Sequence, residues 1–318
     1  MRIIALINQK GGVGKTTTTA NLGAALALQG KRSVLVDLDP QANLTLHLGC
    51  VIEDGSPSSY RMLTSQCTFG EALIGTSIEG MRLMPTDIHL SGAEMELASA
   101  LGRETLLRDA IEEWCEEEGG DPCDYLLFDC PPSLVLLSIN ALATADEAFL
   151  VVQTEFFALQ GMSKLLEVIQ LVKKRMNPRL ECTGLIPCLY DSRLKLAREV
   201  LGELRSHFPD HVFSTPIGQN IKLAESPGFG KTIFEYAPES AGARDYAALA
   251  QAVIAMEAPA EGPPETSPEV RVEEPKAEPV TETGRAGETT VELKPHRAPV
   301  PEQPVGEAGT GSEPKQAS

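Results

Sequence analysis

The chain has 318 residues, with 27 Lys and Arg against 45 Asp and Glu and a formal net charge of −18 at pH 7. A balance this acidic excludes nucleic-acid binding driven by overall charge, so any contact with DNA has to come from a local basic patch. Seven cysteines, an odd number with no C-x-x-C pair, fit reduced thiols better than a disulfide framework or a zinc site, and no apolar run approaches the roughly 20 residues a membrane helix needs.

Residues 3–7 form an apolar, β-branched run of strand length, and residues 19–28 are rich in Ala and Leu with a helical pattern. Between them, residues 8–18 read Asn-Gln-Lys-Gly-Gly-Val-Gly-Lys-Thr-Thr-Thr. A glycine loop between a strand and a helix N-terminus is a phosphate cradle, because successive backbone N–H groups and the helix dipole converge on the anion and no Cβ keeps the oxygens away. Here the cradle runs through Lys10, Gly11, Gly12, Val13, Gly14, Lys15, Thr16 and Thr17. Lys15 would meet the β- and γ-phosphates and Thr16 would ligate Mg²⁺. The pattern G-x-x-x-x-G-K-[ST] is broken at its first glycine, where Gln9 stands, and a second lysine, Lys10, lies inside the loop. One lysine can then serve its own nucleotide while the other reaches a nucleotide on a partner subunit. The plain alternative, a solvated surface lysine, suits an arbitrary lysine better than one in this glycine context.

Further strands are predicted near 33–38, 81–85, 124–129, 147–153 and 181–188, in addition to the first over 2–8. Helices are predicted near 16–29, 91–101, 103–118, 134–145, 158–176, 194–206 and 241–256. This alternation means βαβ units, hence an α/β fold with a mainly parallel sheet and helices on both faces. Ligands of such sheets bind at the carboxyl ends of the strands. The phosphate loop, Asp37 with Asp39, and Asp129 with Pro131 and Pro132 all fall at that edge. From Ala258 onward there is no Phe, Trp, Tyr, Ile or Met, a single leucine, Leu293, and 11 of the 23 prolines. Such a segment buries too little apolar surface to offset chain entropy, so 258–318 is predicted to be a disordered, acidic Pro/Glu-rich tail behind a folded domain over 1–257. The tail carries 12 acidic and 6 basic residues, a net −6 of the −18, which leaves −12 in the folded part.

Residues 10–18 resemble the deviant Walker A motif of the ParA/MinD group of P-loop ATPases. Val34 to Asn43, Val-Leu-Val-Asp-Leu-Asp-Pro-Gln-Ala-Asn, is similar to the second strand and first switch of the ParA (Soj) branch, which acts in chromosome and plasmid partitioning. Leu126 to Leu134, Leu-Leu-Phe-Asp-Cys-Pro-Pro-Ser-Leu, resembles that branch's Walker B strand and second switch, where MinD proteins typically have Pro-Ala-Gly after the aspartate. Asn140-Ala141-Leu142, Phe157-Ala158-Leu159-Gln160-Gly161 and Leu223-Ala224-Glu225-Ser226-Pro227 extend the likeness, in order, over residues 1 to about 255.

The resemblance implies an ATPase that hydrolyses ATP with Mg²⁺. Lys15 and the loop amides would neutralise the phosphates, and Thr16 and Asp129 would hold Mg²⁺, with Asp37 sharing that role. Asp39 would position the attacking water, although Asp39-Pro40 also reads as a simple turn. Lys10 would act in trans, as an arginine finger does elsewhere, so ATP would assemble a homodimer and Gly11 would lie where two backbones meet. The family binds DNA without sequence preference, through residues matched here by Arg193, Lys195 and Lys222, and a ParB-like partner stimulates hydrolysis. One cation is missing, since Gly218-Gln219-Asn220 stands where relatives commonly read Pro-Arg-Asn. The plain reading of Arg193 and Lys195 is a solvated helix start. The expected location is cytoplasmic, on the nucleoid in the ATP state, with no membrane attachment. The alternative function is a ParA-like positioning ATPase whose cargo is a protein cluster instead of DNA. An iron–sulfur role for Cys130 lacks the C-x-x-C pair of cluster-binding relatives, and an amide ligase on this fold would need a substrate domain for which the sequence has no segment.

Overall fold

Strands covered on both faces read as continuous apolar runs instead of alternating ones, and five of the six strands expected from the sequence lie inside the sheet in that way. The computed structural model describes residues 1–257 apart from 121, 156 and 157. The tail expected over 258–318, and Phe157 in one of the resembling segments, lie outside the described residues. In chain order, β1 (Arg2–Ile7) leads into α1 (Lys15–Leu28), β2 (Ser33–Asp37), α2 (Asn43–His47), α3 (Ser59–Leu63), β3 (Ile74–Gly75), β4 (Met81–Met84), α4 (Leu90–Glu96) and α5 (Leu106–Glu118). Then follow β5 (Tyr125–Asp129), α6 (Leu136–Thr144), β6 (Glu147–Gln153), α7 (Ala158–Arg175), β7 (Glu181–Cys188), α8 (Lys195–His207), α9 (Ile221–Glu225), α10 (Ile233–Tyr236) and α11 (Ala241–Ala255).

The sheet has seven strands in the order β3-β4-β2-β5-β1-β6-β7, all parallel except β3, which pairs antiparallel with β4. All six expected strands are present within one residue of their predicted bounds. The two-residue β3 has no sequence signature. The helix expected over 91–101 is shorter, since α4 stops at Glu96 and tightens into a 3₁₀ turn over Leu97–Ser99. The next helix begins at Leu106 and not at 103, after Gly102 turns the chain at φ 68°.

Alternation along each strand sends side chains to two separate cores. Ile3, Ala5, Val34, Val36, Leu126 and Phe128 join the core under α5, α6 and α7, which contribute Trp114, Leu137 and Leu165. Ile4, Leu6, Leu35, Tyr125 and Leu127 join the core under α1 and α11, which contribute Leu22, Leu26, Tyr246 and Leu249. The same parity fixes the site. Asp37 follows Leu35 by two residues and Asp129 follows Leu127 by two, so both carboxylates face α1, and the register pairs them side by side. The strand order reverses at β1, which has β5 on one side and β6 on the other, so the end of β1 is the crevice where open α/β sheets bind ligands.

Candidate nucleotide site

Asn8 fixes the loop that leaves β1. Its amide donates to the Val151 carbonyl at 2.6 Å, and its Oδ1 accepts from the Lys10 N–H at 2.9 Å. Gly12 and Gly14 stand at φ 73° and 98°, left-handed values that L side chains rarely adopt. A Cβ added at Gly11 or Gly12 would meet nothing within 4 Å, so the loop encloses open space of the kind phosphate oxygens fill. The N–H groups of the first turn of α1 have no carbonyl of their own helix to bond, and with the helix dipole they favour an anion there.

Lys15 is only 7% exposed, and its Nζ donates back to the Lys10 carbonyl at 3.4 Å. Burial lowers its pKa, against the pull of the Asp129 carboxylate. Asp129 and Asp37 are completely buried. Burial first, and then repulsion by Asp37, raise the Asp129 carboxyl well above the usual range. Asp129 Oδ1 accepts from the Thr19 hydroxyl at 3.3 Å, while Oδ2 has no hydrogen-bond partner. The Thr16 hydroxyl steadies the ionised form. An orphaned, buried carboxylate oxygen beside a hydroxyl and a second carboxylate suits a hard divalent cation with oxygen ligands, so these residues fit Mg²⁺.

Asp37 spends its oxygens on the segment that follows it. Oδ2 accepts from the Thr45 N–H at 2.9 Å and from the Thr45 hydroxyl at 2.7 Å, and Oδ1 accepts from the Asp39 N–H at 3.2 Å. Asp39, 7% exposed, accepts from the Gln41 N–H at 3.0 Å. It therefore makes the Asp-Pro turn and lines the cleft as well. The cleft is about 560 Å³, with the phosphate loop, Asp39 and Pro132 on one side and Cys188, Leu189, Gly218, Gln219, Asn220 and Tyr246 on the other. With phosphates at the loop, the second wall would offer a surface for a nucleoside.

That second wall was missed by the sequence. The Tyr190 N–H donates to the Ile217 carbonyl at 3.1 Å and the Gln219 N–H to the Tyr190 carbonyl at 3.0 Å, which carries 217–220 against the end of β7. The rule that ligands sit at strand ends points to 188–190, whereas the sequence marks 218–220 only as the place of a missing DNA-contacting cation and not as a wall of the cleft. Lys10 stands at the rim. Its Nζ is ion-paired with Glu155 at 2.6 Å and donates to Gln153 Oε1 at 2.9 Å. Lys15 is thus turned inward and Lys10 outward. Arg193, Lys195 and Lys222 occupy the two segments joined by the Tyr190–Gly218 bridge, beyond the second wall, and all three are exposed by half or more.

The family described as AAA domain (AAA_31) matches residues 1–182. The chromosome partitioning protein ParA of Caulobacter vibrioides is 41% identical over 257 residues, which are 81% of this chain and 95% of that protein. The chromosome-partitioning ATPase Soj of Thermus thermophilus is 46% identical over 257 residues, 80% of this chain and 96% of its own. The chain belongs to the ParA/Soj family of chromosome-partitioning ATPases. Among solved structures, a cobyrinic acid a,c-diamide synthase of Mycobacterium smegmatis with a bound ATP analogue and magnesium superposes with a TM-score of 0.68 at 37% identity, covering 80% of this chain and 94% of that one. The septum site-determining protein MinD of Pyrococcus horikoshii with Mg-ADP gives 0.63 at 27% identity, covering 80% and 97%. Identity to the ParA and Soj relatives exceeds that to either structure. As a ParA/Soj member the chain is an ATPase, with ATP and Mg²⁺ as its ligands. Among the described residues no helix is long and apolar enough to cross a membrane.

Proposed function

We propose that this ParA/Soj ATPase is a dimerising switch for DNA segregation, in which ATP closes two subunits face to face and Lys10 of each serves the nucleotide of the other. The observation that carries this reading is the contrast between the two lysines of one loop, Lys15 at 7% exposure and Lys10 with its side chain 56% exposed. A cation at the rim, anchored through its backbone to Asn8, is placed to leave its own subunit.

In this reading Lys15 and the amides of residues 11–17 bind the phosphates, and Thr16 and Asp129 hold Mg²⁺ beside Asp37. When bound, Mg²⁺ offsets the charge that builds on the phosphate oxygens. Asp39 orients the water from a turn already fixed by Asp37. Lys10 supplies the last positive charge in trans, and hydrolysis separates the subunits. The ATP dimer holds DNA without sequence preference through Arg193, Lys195 and Lys222, on the nucleoid of the cytoplasm, until a ParB-like partner stimulates hydrolysis and release.

Lys10→Ala is expected to lose partner-stimulated turnover by about 10³-fold or more, the range of a finger residue supplied in trans. Gly11→Val separates assembly from folding, because a side chain at Gly11 meets nothing within 4 Å of its own subunit. The variant should bind ATP and stay monomeric by light scattering. Full turnover in Lys10→Ala, or an ATP-dependent dimer in Gly11→Val, would remove the proposed arrangement.

A further inference from the structure

The three cations assigned to DNA are already occupied. Arg193 grips Asp191 with two nitrogens, Nε to Oδ1 at 2.9 Å and Nη2 to Oδ2 at 2.8 Å, and its backbone N–H also donates to Oδ1 at 3.0 Å. Lys195 Nζ lies 3.3 Å from Glu199 Oε1, one helical turn along α8. Lys222 Nζ lies 2.9 Å from Glu225 Oε2, which also accepts from the Tyr236 hydroxyl at 2.8 Å. The Lys222 ammonium stands over the Tyr236 ring, 5.5 Å from its centre. Arg198, the next cation of α8, donates to the Ser192 carbonyl. With Arg198 bonded to a neutral carbonyl, the patch carries four positive and three negative side chains, a net of only one positive charge to offer a phosphate backbone.

We propose that Asp191, Glu199 and Glu225 are a built-in competitor for DNA phosphate that sets how tightly the protein holds DNA. The inference rests on the reading of Arg193, Lys195 and Lys222 as DNA contacts. A phosphate must displace each carboxylate or share its cation. Exposed ion pairs are weak enough to be displaced, yet each is able to cost up to about fivefold in affinity. The same acids repel the backbone at short range, and they lower the number of counterions released per contact, normally about 0.9 in the slope of log K against log salt. The absent cation at Gly218-Gln219 acts in the same direction. Weak and readily reversed binding is the result, in a protein whose folded part is itself acidic.

The test is fluorescence anisotropy of a random-sequence DNA duplex with full-length protein, ATP and Mg²⁺, over a salt series. Asp191→Asn/Glu199→Gln/Glu225→Gln keeps an acceptor oxygen for the Arg193 N–H and the Tyr236 hydroxyl, so the loops retain their backbone bonds. Glu112→Gln/Glu116→Gln/Glu117→Gln, all exposed on α5, makes the same change in net charge elsewhere. The first variant should bind on the order of ten times more tightly than wild type at 0.1 M salt, with a slope steeper by about one to two. The second should change affinity by less than about threefold. Equal tightening in both, or none in the first, overturns the competitor. Arg193→Ala/Lys195→Ala/Lys222→Ala separates the two ideas: if it binds DNA as wild type does, or if no version binds DNA, the reading of these residues as DNA contacts fails instead.

Discussion

Lys10 and Lys15 are five residues apart and chemically unlike, because one points into the fold and the other along its rim. Lys10 does not wait free in solvent. It is ion-paired with Glu155 at 2.6 Å, and Gln153, hydrogen-bonded to Glu155, provides a second acceptor. A cation that is to act on a second subunit must first leave this pair. An exposed pair of this kind is worth up to about 1 kcal/mol, or roughly a factor of five. Glu155→Gln, which leaves an acceptor but no charge, should therefore lower the protein concentration needed for the proposed ATP-driven dimerisation by up to about fivefold. Light scattering across a dilution series reads this directly, and a midpoint that stays put or rises would mean that Glu155 does not restrain Lys10. The pair was invisible in the sequence, since 145 positions separate its members and neither stands in a pattern that names the other.

At the scale of elements, legibility followed length and continuity. The parallel strands and α1, α5, α6, α7, α8 and α11 announce themselves because burial on one or both faces writes a long apolar pattern. The short helices α2, α3, α9 and α10 have four or five residues each and little pattern of their own. They are held by caps and by neighbours: Asn220 accepts from the Lys222 N–H at the start of α9, and Thr232 with Glu235 closes a capping box on α10. The contact that joins α2 to the segment after α9 is a meeting of two backbones. A Cβ at Gly230 would lie 2.6 Å from the Gly49 Cα, and one at Gly49 would lie 2.9 Å from the Gly230 carbonyl oxygen. Gly230 also stands at φ 63°. Gly230→Ala should thus combine a left-handed penalty with a backbone clash and lower stability by about 2–4 kcal/mol. Gly202→Ala, in α8 with nothing within 4 Å, should instead be neutral or stabilising by up to about 1 kcal/mol. Urea midpoints of the two variants check the contrast, and similar shifts in both would show that the close approach of Gly49 and Gly230 does not matter to the fold.

For the whole molecule, three contiguous motifs at one sheet edge made the phosphate half of the candidate site legible as a proposal, because each motif carries its own chemistry. The second wall of the cleft and the ion-paired patch of Arg193, Lys195 and Lys222 depend on chain segments that only the tertiary fold brings together. His47 is of that second kind. It ends α2, lines the nucleotide cleft and is 2% exposed, with an Nε2 that has no hydrogen-bond partner. Burial pushes its pKa from the ordinary 6.5 down to about 4, against the pull of a backbone hydrogen bond at Lys231. The sign follows from proton counting. Below pH 6.5 the unfolded chain takes up a proton at this residue that the folded chain refuses, so the stability it contributes is complete above 6.5 and is lost as pH falls toward 4. At about 1.4 kcal/mol per pH unit the loss reaches roughly 3 kcal/mol across that window. His47→Gln, which cannot titrate, should be less stable than wild type at pH 7.5 because the ring's packing is gone. Its unfolding free energy should fall less steeply between pH 6.5 and 4.5, so that the two curves converge. Parallel curves over that interval would show that His47 is not the residue that resists the proton, and would shift the acid sensitivity of the fold to its carboxylates.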